Sequence, residues 1–462
     1  MANAAWDERD LKSCKSHGGK WNDGLNQLPD EVLLSIMSCL TMKEAARTSV
    51  LCHKWRELWP FFPGTFNFED PNTVLERFSI SDRAFFDQDT SNFVTWVSHV
   101  VNQHRGLAVE EFKVSFGLSN TYQSHIDKWV VFALTKGAKS LVLDFEPAHI
   151  SSMMYALPLK CCDLLKCPYN LPSWKPALKT LFLKHIRVTT GILDCFLHSC
   201  PFLENLHIDG STCLTSIRAS GSPLALKHLH LYDCPDLQRI EIMAPELVTF
   251  RYVGQRIQLD IRNAPLLSEV SIGGGGEDPI AYAFDSLSNY FSQLKYLNVV
   301  TRIYLKGPAI DADLPMNMVV PPVSSLMNLK HLKLTIYARP YQTLLGWITL
   351  IEACPVLQKL TLELSTRNIF PLELDGTLEE RSNAGSLGCL KTLEFCGFVG
   401  RRIDLEFATH VIRKAVALEL VVIDFKIVHY SRIFNADLDA SKARALGLGE
   451  ILSPGAKLVL KE

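Results

Sequence analysis

The most suggestive side chains in this sequence are two histidines. His207 and His230 hold the same place in two successive copies of an apolar unit, Leu203/Leu206/Ile208 and Leu226/Leu229/Leu231. If the two copies form neighbouring strands, both imidazoles point outward on one side, with Asp209, His228 and Tyr232 close by. Nitrogen and carboxylate donors on adjacent strands come within metal-binding reach. A solvated polar ridge on an open sheet face accounts for the same pattern, and no metal ligand is assigned. With Arg239, Glu241 and Arg251, the three histidines His207, His228 and His230 make a mixed-charge patch suited to reading a protein target.

Other chemistry is sparse. The thirteen cysteines include no C-x-x-C pair, so the usual zinc and thioredoxin spacings are missing. The nearest approaches are Cys161, Cys162 and Cys167, then Cys195 with Cys200. With no secretory signal at the start, free thiols in a reducing compartment are expected, nuclear or cytoplasmic. The glycines at 273–276 lack a following Lys-Ser/Thr and read as a flexible turn. No Walker A loop, G-x-S-x-G elbow, H-E-x-x-H or dinucleotide fingerprint occurs, so neither an enzyme nor a cofactor is expected. A formal charge of −2 speaks against a general nucleic-acid or anionic-membrane binder. No apolar run is long enough to span a bilayer.

The elements that would position these residues come from a repeat. The unit L-x-x-L-x-L stands at Leu178/Leu181/Leu183 and recurs at Leu203, Leu226, Leu237, Leu247, Leu267, Leu294, Leu329, Leu357 and Leu390. Weaker copies begin at Val109, Ala138 and Leu418. Cys200-Pro201, Cys234-Pro235, Cys354-Pro355, Ala244-Pro245 and Ala264-Pro265 precede several units. A small residue followed by Pro ends one segment and feeds a short strand. The cysteines of these tags are expected to fill the core as small apolar groups. Most steps fall within the leucine-rich-repeat range. The steps into Leu237 and Leu247 are far shorter, which leaves open whether units 226, 237 and 247 are separate coils.

Each unit is a strand whose alternate side chains face inward, and stacking builds a continuous core. Around twelve strands at about 4.8 Å give a curved sheet of roughly 55–60 Å. Return helices are predicted at Thr190–Ser199 and Thr343–Ala353, and loops at His149–Pro172 and Leu305–Val323.

The N-terminal region differs. Pro29 suits a first helical position, with Asp30 and Glu31 following at the positive end of the dipole. Val32, Leu33, Ile36, Met37 and Leu40 form one apolar stripe. Thr41 and Glu44 have capping-box spacing, and Leu51, Trp55 and Leu58 with Trp59 close a third helix before Pro60. Three such helices make too small a core for comfortable independence.

This segment resembles the F-box: the Leu28-Pro29 opening with Asp-Glu-Val-Leu, the spaced Ile36 and Leu40, Arg47-Thr48-Ser49-Val50-Leu51, and Trp55-Arg56-x-Leu58-Trp59. The resemblance implies docking on a Skp-type adaptor and, through it, a cullin–RING ubiquitin ligase. Leu28, Pro29, Val32, Leu33, Ile36, Val50 and Leu51 would face the adaptor, while Trp55 and Trp59 would mainly serve internal packing. Cys52-His53 departs from the small polar or basic residues of many relatives. The stretch Cys389 to Asp424 resembles the FBD segment of plant F-box/leucine-rich-repeat proteins.

The fold expected is therefore α/β, a three-helix F-box module followed by a curved leucine-rich-repeat solenoid. Its divisions are a flexible leader at 1–22, the F-box at 23–62, a helical linker at 63–105, the solenoid at 106–435 with the FBD-like part at about 389–430, and a tail at 436–462. The function expected is substrate recognition for an SCF-type ligase, with an unidentified target protein on the repeats. A non-degradative scaffold and a ligand-dependent sensor are the alternatives.

Overall fold

The computed structural model describes residues 27–69, 83–145, 153–166, 177–219, 224–275, 282, 285–301, 326–338, 344–366, 386–426 and 438–461. The expected leader at 1–22 and the loop Leu305–Val323 lie outside these residues.

Three short helices open the chain: α1 (Asp30–Ser38), α2 (Met42–Thr48) and α3 (His53–Leu58). Pro29 sits one residue ahead of α1, with the extended ψ of a residue leading into a helix. The capping box of α2 is formed. The Thr41 amide donates to Glu44 Oε2 at 2.9 Å, and the Glu44 amide donates to Thr41 Oγ1 at 3.3 Å. Leu33, Met37, Met42, Ala45, Trp55 and Leu58 are buried together. Lys54 Nζ reaches back to the Leu28 carbonyl at 2.7 Å and to Asp30 at 3.2 Å, tying α3 to the start of α1.

Of the expected helical linker at 63–105, the described residues 63–69 and 83–105 belong instead to the first coil. β1 (Thr65–Glu69) pairs in parallel with β2 (Glu111–Ser115), and α4 (Arg83–Gln103) lies between them in sequence. Phe66 and Phe68 alternate in a five-residue strand in full register with β2, but phenylalanine in place of leucine keeps it out of the repeat pattern. Aromatic contacts join the helices to this coil: Trp59 stacks on Phe62 at 5.5 Å, and Phe62 meets Phe66 edge-on at 5.3 Å. The Arg105 amide donates to the Pro60 carbonyl at 2.7 Å.

The main sheet is parallel throughout and has fourteen strands among the described residues. After β1 and β2 come β3 (Ser140–Asp144), β4 (Thr180–Lys184), β5 (Asn205–Asp209), β7 (His228–Tyr232), β9 (Thr249–Gln255) and β11 (Glu269–Gly275). It continues with β12 (Tyr296–Thr301), β13 (His331–Ala338), β14 (Lys359–Thr366), β15 (Thr392–Cys396), β16 (Leu420–Asp424) and β17 (Lys457–Lys461). The second and third apolar residues of each unit fill the core; Leu206, Ile208, Leu229 and Leu231 are among them. The solenoid thus extends through the expected tail, where α10 (Leu438–Gly447) and β17 supply a last coil.

The short steps resolve into a second sheet. β6 (Ser216–Ala219), β8 (Arg239–Met243) and β10 (Gln258–Arg262) pair in the order β10-β8-β6 and not with the main sheet. Leu226 and Leu247 therefore lead into the adjacent inner strands β7 and β9, while Leu237 leads into the strand that returns between them. Both strands of such a coil have apolar alternation, so both match the unit. Asp233 and Asn263, at the exits of β7 and β10, hold positive φ of 46° and 51°, a conformation Asn and Asp tolerate better than most.

Elsewhere helices return. α7 (Thr190–Ser199) forms as expected, α8 covers Ile348–Glu352, and α9 (Arg402–Lys414) joins β15 to β16. The FBD-like segment is therefore one strand–helix–strand coil of the solenoid itself. Part of the loop expected at His149–Pro172 is α6 (Lys160–Lys166), where Cys161 and Cys162 are buried. Cys200, Cys234 and Cys354 of the Cys-Pro tags are also buried, and burial pushes each thiol up to about 12.

The glycine turn is corrected as well. Gly273–Gly275 continue β11, and a Cβ on Gly273 would lie 1.9 Å from the Val300 carbonyl oxygen. One on Gly274 would lie 1.7 Å from that of Gly254. Glycine is needed there for close backbone approach across β9, β11 and β12. No helix among the described residues is long and apolar enough to cross a membrane.

Candidate functional site

Two surfaces stand out. On the helical module, Val32 is 41% exposed, Val50 56% and Leu51 65%. Pro29 is exposed, and Leu28 and Ile36 are half-buried against the core. Leu33 departs from the expected adaptor set: it is fully buried, because it falls on the α1 face that packs with Met37. Trp55 is buried, and Trp59 is half-buried at the join with the sheet. Phe61, absent from the expected set, is 40% exposed. A module this small cannot enclose all of its apolar residues.

The second surface is the open face of the main sheet, whose side chains alternate with the core leucines. Its central row in strand order reads Asn67, Lys113, Val142, Phe182, His207, His230, Arg251, Ser271, Asn298, Lys333, Thr361 and Glu394. The expected pairing of His207 with His230 is present, since β5 and β7 are adjacent and in register. The two rings meet edge-on at 5.7 Å. His207 also stacks on Phe182 at 4.1 Å, with only 13° between the planes, and lies 5.5 Å from the Tyr232 ring.

Burial draws both imidazoles down to about 4, and nearby positive charge adds to this, from Lys184 and then Arg251 at His207, and from Arg251 first at His230. Both are therefore neutral at neutral pH. His228 sits one row away on the same strand, 6.4 Å from His230 between ring centres. Among the described residues no three His, Cys, Asp or Glu side chains converge as a metal site.

Arg251 follows His230 in the row, across β7 and β9. Arg239 and Glu241 do not join it. They are on β8 in the three-stranded sheet, so the expected mixed-charge patch divides between two sheets. There Glu241 lies 3.8 Å from Arg262, and Arg239 lines a groove with Arg218 and Arg256. Their placement follows from the return strand at Leu237, which has the same alternation as an inner strand.

Farther along, the face is internally satisfied. Lys333 pairs with Glu363 at 2.5 Å, and Thr335 Oγ1 donates to Asn298 at 3.2 Å. Asn298 donates in turn to Ser271 at 2.9 Å. Glu394 faces both Lys359 at 2.8 Å and Lys461 at 3.5 Å, and accepts from Thr361. Sequence reasoning missed Phe182, Lys184, Tyr296 and Lys333 as face residues. The signal was available in the positions just before the second apolar residue, between the second and third, and just after the third of each unit, but Phe182 reads as core.

Comparison with known proteins adds two family matches. The F-box domain matches residues 25–63. The family described as At1g61320/AtMIF1, LRR domain, matches residues 100–445. The F-box/FBD/LRR-repeat protein At1g13570 of Arabidopsis thaliana is 24% identical over 424 residues, covering 88% of this chain and 92% of that protein. The putative FBD-associated F-box protein At1g61330 of the same plant is 22% identical over 426 residues, covering 86% and 89%.

Proposed function

Because the chain belongs to the plant-type F-box/leucine-rich-repeat proteins with an FBD-like segment, we propose that it is the substrate receptor of an SCF-type cullin–RING ubiquitin ligase. The observation that carries this reading is the exposure of the apolar residues Val32, Val50 and Leu51 on a module whose other apolar residues are largely packed. Those residues suit a Skp-type adaptor. The open sheet face suits a target protein, since fourteen strands at about 4.8 Å span roughly 60 Å, ample for a standard interface of about 800 Å² per partner.

No bond is made or broken by this chain in such a role. It holds the target where other subunits transfer ubiquitin, so its contribution is proximity and raised local concentration. The nucleus or cytoplasm is the compartment proposed.

The test is capture of a Skp-type adaptor by the full chain and by a Val50→Asp/Leu51→Asp double variant. Both positions are exposed, so the variant retains its fold. Strong capture by the parent and none by the variant supports the reading. A folded parent that captures no adaptor overturns it.

A further inference from the structure

In the middle of the main sheet's open face, Arg251 Nε and His230 Nε2 are both buried, and neither has a hydrogen-bond partner. They stand on adjacent strands in direct register. An Arg Nε–H is a donor in every state, so a buried one without an acceptor is rare and calls for an oxygen; the neighbouring His230 nitrogen joins it as a donor in its Nε2-protonated tautomer, and an entering oxygen has to move a covering side chain aside.

The surrounding charges strengthen the case. Lys184 is paired with Asp144, Lys333 with Glu363 and Lys359 with Glu394. Arg251 meets the Tyr232 hydroxyl, yet it makes no ion pair with any described residue. The nearby Glu269 accepts from Thr249 Oγ1 at 3.2 Å. A guanidinium is always charged and presents its donors as a planar fork that fits carboxylate or phosphate oxygens. Beside it, Phe182, His207 and Tyr232 form a half-buried platform made of the outer edges of packed rings, against which a ring or aliphatic side chain can lie.

Resting on the assignment of this face to target binding, we propose that Arg251 and His230 hold an oxyanion on a target segment, with a neighbouring apolar residue on the Phe182–His207–Tyr232 platform. The oxyanion is a side-chain carboxylate or a phosphate. His230 in its Nε2-protonated tautomer donates one hydrogen bond and Arg251 the others.

The test uses the full chain and fluorescein-labelled, capped Gly-Ser peptides, each carrying a central Phe-Glu, Phe-phosphoserine, Phe-Gln, Phe-Lys or Ala-Glu pair. Anisotropy titration should show at least one acidic Phe peptide binding about tenfold tighter than Phe-Gln, the gain of a charge-assisted contact. The stronger of the Glu and phosphoserine peptides identifies the source of the oxyanion. Ala-Glu should bind more weakly than Phe-Glu.

Arg251→Ala removes the acidic preference, Arg251→Lys keeps part of it, and Arg402→Ala, at an exposed position of α9, leaves it unchanged. Melting curves accompany each variant, so that Arg251→Lys is read instead if Arg251→Ala unfolds. Equal binding of Phe-Gln and the acidic peptides, no binding of any peptide, or a preference undiminished in the Arg251 variants overturns the proposal. Adaptor capture is scored separately in the same preparations. Intact capture with no peptide preference therefore sinks this inference and leaves the ligase assignment standing.

Discussion

Leu33 and Leu51 lie in the same helical module and both belong to the motif that suggests adaptor docking, yet truncating them should fail in opposite ways. Leu51 is 65% exposed. Full burial of a leucine side chain stabilises by about 1.5–3 kcal/mol, so covering its exposed two-thirds under an adaptor is worth about 1–2 kcal/mol. Leu51→Ala should then weaken adaptor binding about 5- to 30-fold while changing stability by less than about 0.5 kcal/mol. Leu33 is fully buried. Leu33→Ala leaves a cavity in the smallest core of the molecule and should cost about 3–5 kcal/mol, enough to melt the module while the sheet persists. The assay pairs adaptor affinity by calorimetry with amide exchange over α1 to α3. Leu51→Ala should show protected amides with weak binding, and Leu33→Ala should lose protection and binding together. Unchanged affinity in Leu51→Ala, or lost affinity in a Leu33→Ala variant with fully protected amides, would refute the division into docking and packing residues.

Other outcomes follow from the solenoid. Asp404 in α9 is buried and accepts from the Val399 and Arg401 amides at 3.0 Å each, and burial pushes its carboxyl up to about 6. The fold therefore binds this proton more tightly than the unfolded chain; that stability is full below the ordinary carboxylate range near pH 4 and is lost as pH rises through about 6. Asp404→Asn should flatten this part of the profile and narrow the loss between pH 5 and pH 8 by about 1.4 kcal/mol, read from chemical melts at both pH values. Gly274→Ala should cost about 3 kcal/mol or more, because its Cβ collides with the Gly254 carbonyl at a φ of 139°; urea titration checks it. Lys333→Met leaves the buried Glu363 carboxylate without its cation and should cost about 3 kcal/mol by the same titration, and an unchanged midpoint would show that Thr335 and water suffice.

What could be seen in the sequence was whatever repeats. Alternation of Leu and Ile marked nearly every inner strand, the Thr41–Glu44 spacing gave the cap of α2, and equal positions in two units placed His207 beside His230. What could not be seen was which wall of the coil a strand belongs to. β7 and β8 both alternate apolar with polar residues, and only their pairing partners separate them. Arg239 and Glu241 were drawn into the His207 patch for that reason. Phe182 was hidden by its own chemistry, since an apolar ring on the open face looks like core until its neighbours are known. The Gly273–Gly275 run failed for a related reason: flexibility is one use of glycine, and close approach of two strands is another. β1 was lost because its strand stands apart from the regular repeat, although it is the strand on which the helices rest.

That last element bears most directly on how the molecule would work. A receptor that acts by positioning needs its two docking surfaces held in a constant relation, and a mobile linker between them would spread the target over many orientations. Here Trp59, Phe62, Phe66 and Phe68 run as a chain of ring contacts from α3 into the core under β1. The first coil also returns to the module through the Arg105 amide on the Pro60 carbonyl and through His104, whose Nε2 lies 3.1 Å from the Phe62 carbonyl oxygen. Counting strands along the sheet, β4 is three steps from β1 and β9 is six, which places the ring platform and Arg251 about 14 to 29 Å from the first coil. A target held there sits at a near-constant distance from whatever binds Val50 and Leu51. In the proposed receptor the join would turn affinity on the sheet into local concentration at the adaptor side, and inserting a flexible Gly-Ser segment after Pro63 should leave both binding steps intact while slowing transfer to the target.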